Sequence, residues 1–214
     1  MSRLDFDPAR AAALQRRLAS RVVLRDRMGR VRLIAGVDAD FSGDEGRAAA
    51  AVLDARTLEP VEMAVMDGKV RVPYLPGFLA FRELPLFRRA LGKLSRRPDL
   101  VIADGMGLLH PRRFGLACHL GLALDLPVIG CAKKPFIGEF EEPGAERGCW
   151  TPVLDRGETV GAVVRTRSGV KPVFVSIGHR ISLPTAIRWV LRTAKEFRLP
   201  EPIRAAHRAA RAPW

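Results

Sequence analysis

The order of apolar segments predicts an α/β protein with one mixed sheet flanked by helices. Three strand-like segments joined by short turns come first, as in an antiparallel meander, and later strands alternate with helices, as in βαβ units. No repeat, linker or break in composition divides the 214 residues. We therefore expect a single domain over 1–214, with 1–29 as an N-terminal helix and lead-in and 209–214 as a frayed tail.

The N-terminal part is expected to form a helix and then the meander. Asp7 as a cap and Pro8 at the first position favour a helix over 8–20. Alternating and then continuous apolar residues favour a strand over 30–41 and two more strands within 47–70, joined at a turn.

The rest of the chain is expected to alternate between strands and helices. Apolar residues at helical spacing predict a helix from about Leu79 to Leu94, and two short apolar runs predict buried strands over 99–105 and 127–132. The other predicted elements, in chain order, are a helix from near Pro111 with Arg112 and Arg113 in its first turn, paired strands at 158–166 and 171–178, a helix at 182–197 capped by Ser182, and a short basic helix at 199–214.

The charge balance points towards a polyanionic partner. Lys and Arg number 36 against 23 Asp and Glu, a formal net charge of +13. Such an excess favours binding to nucleic acid, because each phosphate that Lys or Arg neutralises releases its counterions. An Arg-rich proteome would give the same excess. The three cysteines lack zinc-ligand spacing. No segment resembles a signal peptide or reaches the ~20 apolar residues that cross a bilayer, so we expect a cytoplasmic protein without a membrane partner. We also expect a monomer.

Two aspartates stand at the ends of apolar strands. Asp38 closes the first predicted strand and Asp104 closes VIADG. An acid at the end of a buried strand is costly unless it is paired or binds a cation, and neighbouring carboxylates favour Mg²⁺ or Mn²⁺ over zinc. Each aspartate could equally cap a turn after its strand. Asp40 shares the face of Asp38 but is expected beyond the strand. Lys133 follows the strand at 127–132, at what should be the same edge.

Three other polar residues could have either a purely structural role or a functional one. Glu83 lies near the start of the predicted helix, where glutamate is most often solvated. His110 and His179 each precede a helix. They could hydrogen-bond the backbone, or they could bind a phosphate or orient a water molecule.

With these residues in order, the chain resembles endonuclease V, the deoxyinosine 3′-endonuclease family. The matching segments are GVDADF (36–41), VPYLPGFLAFRE (72–83) and DGMGLLHPRRFGLACHLGLALDLPVIGCAKKP (104–135), followed by GAVVRT, KPVFVSIGHRISL and LPEPIRAA. Together they cover about 30–208, and the first three are long and specific. The family implies a ribonuclease H-like fold, which the predicted strand order fits independently.

The resemblance also implies a site. Its catalytic residues would be Asp38, Glu83, Asp104, Lys133, His179 and His110, with the three acids binding Mg²⁺, for which Mn²⁺ would substitute. Its DNA wedge would be Pro73, Tyr74, Leu75 and Pro76, and its pocket for the displaced base would be Gly77, Leu79 and Gly105. The two prolines restrict the segment around Tyr74, the only tyrosine. Taken alone, that tyrosine could fill a gap under a surface loop.

The implied activity is DNA repair. The enzyme would recognise deoxyinosine and other deaminated bases in DNA and hydrolyse the second phosphodiester bond 3′ to the lesion, leaving a 3′-hydroxyl and a 5′-phosphate. The alternatives are an inosine-specific endoribonuclease, a flap or junction nuclease on the same fold, and a non-catalytic basic protein that binds nucleic acid. Two positions depart from the family pattern: Met106 replaces a frequent histidine, and His207 replaces a frequent aspartate, which we expect to weaken or re-tune support of the site.

Overall fold

Nine strands and five helices lie within residues 6–212, the part of the chain that the computed structural model describes. The helices are α1 (Pro8–Ala19), α2 (Leu79–Gly92), α3 (Leu116–Leu124), α4 (Leu183–Thr193) and α5 (Glu201–Ala210). The strands are β1 (Leu33–Ser42), β2 (Glu45–Asp54), β3 (Pro60–Lys69), β4 (Leu100–Asp104), β5 (Val128–Ala132), β6 (Glu139–Phe140), β7 (Trp150–Asp155), β8 (Glu158–Val164) and β9 (Val173–His179). None of these helices is long and apolar enough to cross a membrane.

The nine strands form one mixed sheet in the order β3-β2-β1-β4-β5-β9-β8-β7-β6. Strands β1 to β3 are an antiparallel meander, β4 and β5 run parallel to β1, and β9 returns antiparallel to β5. The predicted mixed sheet is therefore confirmed, as is its ribonuclease H-like order of an antiparallel meander followed by parallel strands.

Several element boundaries differ from the predicted ones. Helix α3 begins at Leu116, after the position expected near Pro111, because Arg113 has a φ of 53°, in the left-handed region that a helix cannot include. Arg113 instead pairs with Asp155 at 2.7 Å. Strand β1 continues to Ser42, so Asp40 lies within it. Strands β6 and β7 were not predicted. Of the expected lead-in and tail, residues 1–5 and 213–214 lie outside the described part of the chain.

Alternation along the strands divides the core between the two faces of the sheet. Ile34 and its same-face neighbours pack with Ile187 and Ile203 from α4 and α5. Val37 and its same-face neighbours pack with Phe87, Leu120 and other residues of α2 and α3. Because side chains alternate with a period of two, Asp38 lies on the same face as Ile34, which α5 covers.

Helix α5 approaches β1 closely because position 36 is a glycine. A Cβ atom built on Gly36 would overlap the backbone carbonyl of Pro202, in the first turn of α5. The overlap is with backbone, so a flexible side chain could not relieve it. The missing side chain at Gly36 thus sets the distance of α5 from the strand that carries Asp38.

We expect Gly36→Ala to destabilise the protein by about 1–3 kcal/mol, the usual cost of an added methyl group in a well-packed interior. Thermal unfolding followed by circular dichroism would measure the loss. Gly92→Ala is the matched control, because a Cβ atom there has nothing within 4 Å. Equal melting temperatures for the two variants would contradict the close packing of α5.

Candidate active site

Asp38 and Asp104 stand side by side at one edge of the sheet. Strands β1 and β4 are parallel neighbours, and their last paired residues are Val37 and Ala103, so the two aspartates follow directly. Their side chains are largely buried, with 16% and 19% of the surface exposed. Burial, and then the negative charge of Asp104, raise the pKa of Asp38. The structure therefore brings these carboxylates to one spot, as the strand-end pattern indicated.

Glu83 joins this pair from α2, and it is not a solvated helix residue. Only 8% of its surface is exposed, and its carboxylate has no hydrogen bond or ion pair with any residue in the described part of the chain. Burial raises the pKa of Glu83 well above its usual value, and the charges of Asp38 and Asp104 raise it further. Arg82 offsets part of this effect. A buried acid without a partner lies next to two other acids.

His207 contacts Asp38 directly, at the position where weakened or re-tuned support of the site was expected. Its Nδ1 lies 2.6 Å from Oδ2 of Asp38, and this hydrogen bond lowers the pKa of Asp38 against the effect of burial. The signal that could have found it is helical spacing, since Ile203 and Ala210 are buried and His207 falls on their face of α5. Of the two outcomes expected here, the contact fits re-tuned support of the site.

Lys133 stands beside the second aspartate. Its Nζ lies 3.1 Å from Oδ2 of Asp104, directly after β5. The guanidinium of Arg198 donates to the backbone carbonyl of Lys133 at 2.7 Å and also to that of Pro172. The lysine is thus placed at the acid cluster on a backbone that is held in position.

The segment around Tyr74 projects from the protein between two fixed points. Tyr74 is 69% exposed, so it does not fill a gap under a loop. On one side of the segment, Arg82 donates to the carbonyl of Val72 at 2.7 Å. On the other side, the carbonyl of Gly77 accepts hydrogen bonds from three side chains. Residues 73–76 therefore present an aromatic ring to solvent from a restrained backbone.

A cavity of about 260 Å³ connects this segment to the acids. Its lining includes the residues predicted for the wedge and the base pocket, except Pro73, together with one acid and two other side chains: Tyr74, Leu75, Pro76, Gly77, Leu79, Gly105, Asp104, Met106 and His110. Met106, at the position that departs from the family pattern, thus forms part of the wall. The exposed tyrosine and Asp104 therefore line the same cavity.

His110 belongs to the cavity wall and is not placed for proton transfer. Its Nε2 lies 3.1 Å from the carbonyl of Gly77, and its Nδ1 accepts from the backbone N–H of Arg112 at 3.2 Å. Burial lowers the pKa of His110 to about 4. A neutral ring with its proton on Nε2 satisfies both contacts, so the geometry assigns it to holding Gly77 and does not fit the expected catalytic role.

His179 lies at the opposite end of the sheet from the acids. Because β9 is antiparallel to β5, His179 pairs with Val128, at the start of β5, whereas the acids and Lys133 follow the strand ends. His179 is 3% exposed and its Nδ1 accepts from the backbone N–H of Val23. Burial lowers the pKa of this buried histidine. This placement does not fit a role at the scissile phosphate.

The acid cluster has the donor set of a site for a hard divalent cation. Within residues 6–212, no three His, Cys, Asp or Glu side chains are yet gathered as tightly as metal ligands are. Lys133 and His207 contact two of the acids instead, and Glu83 is left without a partner. Buried carboxylates that repel one another are the oxygen ligands that Mg²⁺ and Mn²⁺ prefer. The residues therefore fit such an ion.

Glu83→Gln should stabilise the metal-free protein at alkaline pH. Folding raises the pKa of Glu83, so the favourable contribution of the protonated acid is complete below the unfolded pKa of 4.5. It is lost as the pH rises towards the folded pKa. In EDTA, we expect variant and wild type to unfold at similar temperatures near about pH 5, and the variant to unfold at a higher temperature near about pH 8.

The same unfolding experiment contains its control. Added Mg²⁺ should raise the melting temperature of the wild type more than that of the variant, because the ion stabilises only the form that binds it. A variant that is less stable than the wild type at both pH values in EDTA would show that Glu83 carries no electrostatic cost.

Comparison with known proteins gives a consistent set of relatives. The sequence model of the Endonuclease V family matches residues 16–208. An Endonuclease V from Roseiflexus sp. (strain RS-1) is 50% identical over 198 residues, which are 92% of this chain and 89% of that protein.

Solved structures agree with the sequence matches. The crystal structure of Endonuclease V from Streptomyces avermitilis superposes with a TM-score of 0.91 at 45% identity, covering 96% of this chain and 92% of that one. Endonuclease V from Ciona intestinalis, in complex with a 24mer DNA that contains an inosine followed by a ribo-adenosine, superposes with a TM-score of 0.84 at 28% identity, covering 95% of each chain.

Proposed function

Because the chain belongs to the endonuclease V family and is an endonuclease, we propose that it nicks DNA that contains deaminated bases, with deoxyinosine as its main substrate. The observation that carries this proposal is the cavity that both Tyr74 and Asp104 line. Such a cavity can hold a base outside the helix while the strand lies across the acids. The Ciona relative, which is bound to inosine-containing DNA, supports the same substrate.

Recognition would begin at the wedge. The ring of Tyr74 enters the base stack, and the displaced base occupies the cavity beside Gly77 and Gly105, which themselves carry no side chain. Hypoxanthine lacks the exocyclic amine of guanine and pairs more weakly, so its extrusion costs less than that of a normal base. A tight pocket then needs to supply only part of the preference for hypoxanthine over normal bases.

The chemistry would be hydrolysis of the second phosphodiester bond 3′ to the lesion. A divalent cation bound by Asp38, Asp104 and Glu83 would supply Lewis-acid activation of the phosphate and of a water molecule. The ammonium of Lys133 offsets the negative charge that develops on the phosphate oxygens. His207 keeps the carboxylate of Asp38 oriented. Water adds to phosphorus, the P–O3′ bond breaks, and the products are a 3′-hydroxyl and a 5′-phosphate.

The function is tested by mapping cuts in end-labelled duplexes that carry one inosine, in Mg²⁺ or in EDTA. We expect Mg²⁺-dependent nicking at the second phosphodiester 3′ to inosine. Asp38→Ala and Asp104→Ala should still bind inosine DNA but lose nicking, because binding uses the wedge and the cavity. Asp44→Ala removes the same charge from an exposed turn and should nick normally. Substantial nicking by either site variant would contradict the assignment of the acids.

Matched substrates in the same assay separate the alternatives. The Ciona structure holds a ribo-adenosine directly after inosine, so a DNA and an RNA oligonucleotide of one sequence should be compared. Faster cleavage of the RNA would indicate an inosine-specific endoribonuclease. Cleavage of a flap without inosine would indicate a structure-selective nuclease, and the absence of any metal-dependent cut would indicate a binding protein.

Tyr74→Ala should lower nicking of inosine duplexes by about tenfold or more, since stacking of a base on an aromatic ring contributes about 1–3 kcal/mol. Tyr74→Phe keeps the ring and should retain most of the activity. Because Tyr74 is 69% exposed, the melting temperature of the alanine variant should match that of the wild type. An unchanged preference for inosine over undamaged DNA would show that Tyr74 is an ordinary surface residue and not a wedge.

A further inference from the structure

The carbonyl of Gly77 is held by three side chains from separate parts of the chain. It accepts from Nε2 of Gln15 at 3.1 Å, from Nε2 of His110 at 3.1 Å and from Nη2 of Arg112 at 2.7 Å. Gly77 directly follows the wedge and precedes α2 by one residue. A single peptide group therefore connects the wedge, the cavity and the helix that carries Glu83.

Gln15 of α1 is the central residue of this network. It is 1% exposed, and the rest of α1 is mostly exposed. Its Nε2 donates to the carbonyls of Gly77 and Phe114, and its Oε1 accepts from Nε of Arg112 at 2.6 Å. Although Gln15 lines the cavity, both of its N–H donors are already used. It is therefore built to hold the cavity wall and has no donor left for a bound base.

Arg112 completes the same restraint. Its guanidinium lies over the ring of Phe78 at 4.4 Å, while its fork reaches Gln15 and Gly77. Gly77 has a φ of 83°, and a Cβ atom there would stand 2.7 Å from Nη2 of Arg112. A side chain at position 77 would therefore both strain the backbone and displace Arg112.

We propose that Gln15 is a positioning residue for lesion recognition, which fixes the Gly77 carbonyl from the N-terminal helix so that the Tyr74 wedge and the cavity hold their shape against the base stack. This inference rests on the proposed function and adds α1 to the parts that perform it. A base stack resists the wedge that opens it. Prolines stiffen the segment internally, but they do not attach it to the body of the protein. The hydrogen bonds at Val72 and Gly77 make that attachment.

Gln15→Glu tests the proposal, with Ala13→Glu as its matched control. The first variant keeps the length of the side chain and an acceptor for Arg112 but loses both N–H donors. The second adds the same charge at an exposed position of α1. Single-turnover nicking should be measured on an inosine in a duplex and on an inosine in a single strand, and circular dichroism should verify folding.

We expect Gln15→Glu to nick the inosine duplex about tenfold more slowly than Ala13→Glu, because the hydrogen bonds of Gln15 to Gly77 and Phe114 are both lost. The loss on the single strand should be clearly smaller, because that base need not be driven out of a stack. A 2-aminopurine beside the inosine should brighten less on binding to Gln15→Glu than to the control. A merely structural role would lower the nicking rates of both substrates equally and leave the ratio of the duplex rate to the single-strand rate unchanged.

Two further variants keep the test decisive. If Gln15→Glu does not fold, Gln15→Met keeps the volume without a charge and should show the same duplex-selective loss. Arg112→Lys should show that loss too, and combining it with the Gln15 variant should add little, since both act on one carbonyl.

The outcomes separate the two proposals. A wild type that leaves the inosine duplex intact would overturn the proposed function. The wild type could nick the inosine duplex while the Gln15 variants either match the control or lose the same share of activity on both substrates. That result would overturn only the role of Gln15.

Discussion

The mutual repulsion of three carboxylates at one edge of the sheet is the constraint around which the site is built. Asp38 and Asp104 are brought together by the parallel register of β1 and β4, and α2 adds the unpartnered Glu83. Such a cluster costs stability unless positive charge is supplied. The protein provides some of it from Lys133, and the imidazole of His207 adds a hydrogen bond to Asp38. The remaining negative charge is what suits the cluster to a divalent cation.

Packing at a distance from the acids determines one of their contacts. His207 reaches Asp38 only because α5 lies close to β1, and α5 lies close because position 36 lacks a side chain. A well-packed fold thus supports a site that is itself electrostatically unfavourable. The buried charge of Glu83 costs stability at the proposed metal site. Gly36, in contrast, permits close packing of α5 and also brings His207 to Asp38.

In the proposed function, recognition and hydrolysis would be carried by different residues that are joined through one helix. The wedge ends at Gly77, and α2 begins at Leu79 and carries Glu83. The network of Gln15 and Arg112 fixes the start of this helix, while Arg82 fixes the other end of the wedge. A base held in the cavity would then be registered against the acids, which would give a physical reason for the proposed cut at a defined offset from the lesion.

The sequence predicted the adjacency of Asp38 and Asp104, because parallel strands place their ends at one edge. Glu83 needed the family resemblance, since a helical glutamate has no local signature of burial. His179 was misplaced because a single strand does not reveal that its pairing is antiparallel. Gln15 was missed, and the direct contact of His207 with Asp38 was not foreseen, because each depends on what lies against a helix face. Arg113 delayed the start of the predicted helix through a backbone conformation that its residue type does not signal.

The most direct test of the acid cluster is an anomalous-diffraction map from crystals soaked in Mn²⁺. A manganese peak within coordination distance of the carboxylates of Asp38 and Asp104, with Glu83 turned towards it, is the expected result, and Asp104→Ala crystals should lose it. A map in which the ion lies elsewhere, or in which Lys133 still contacts Asp104 and no peak is present, would contradict the account.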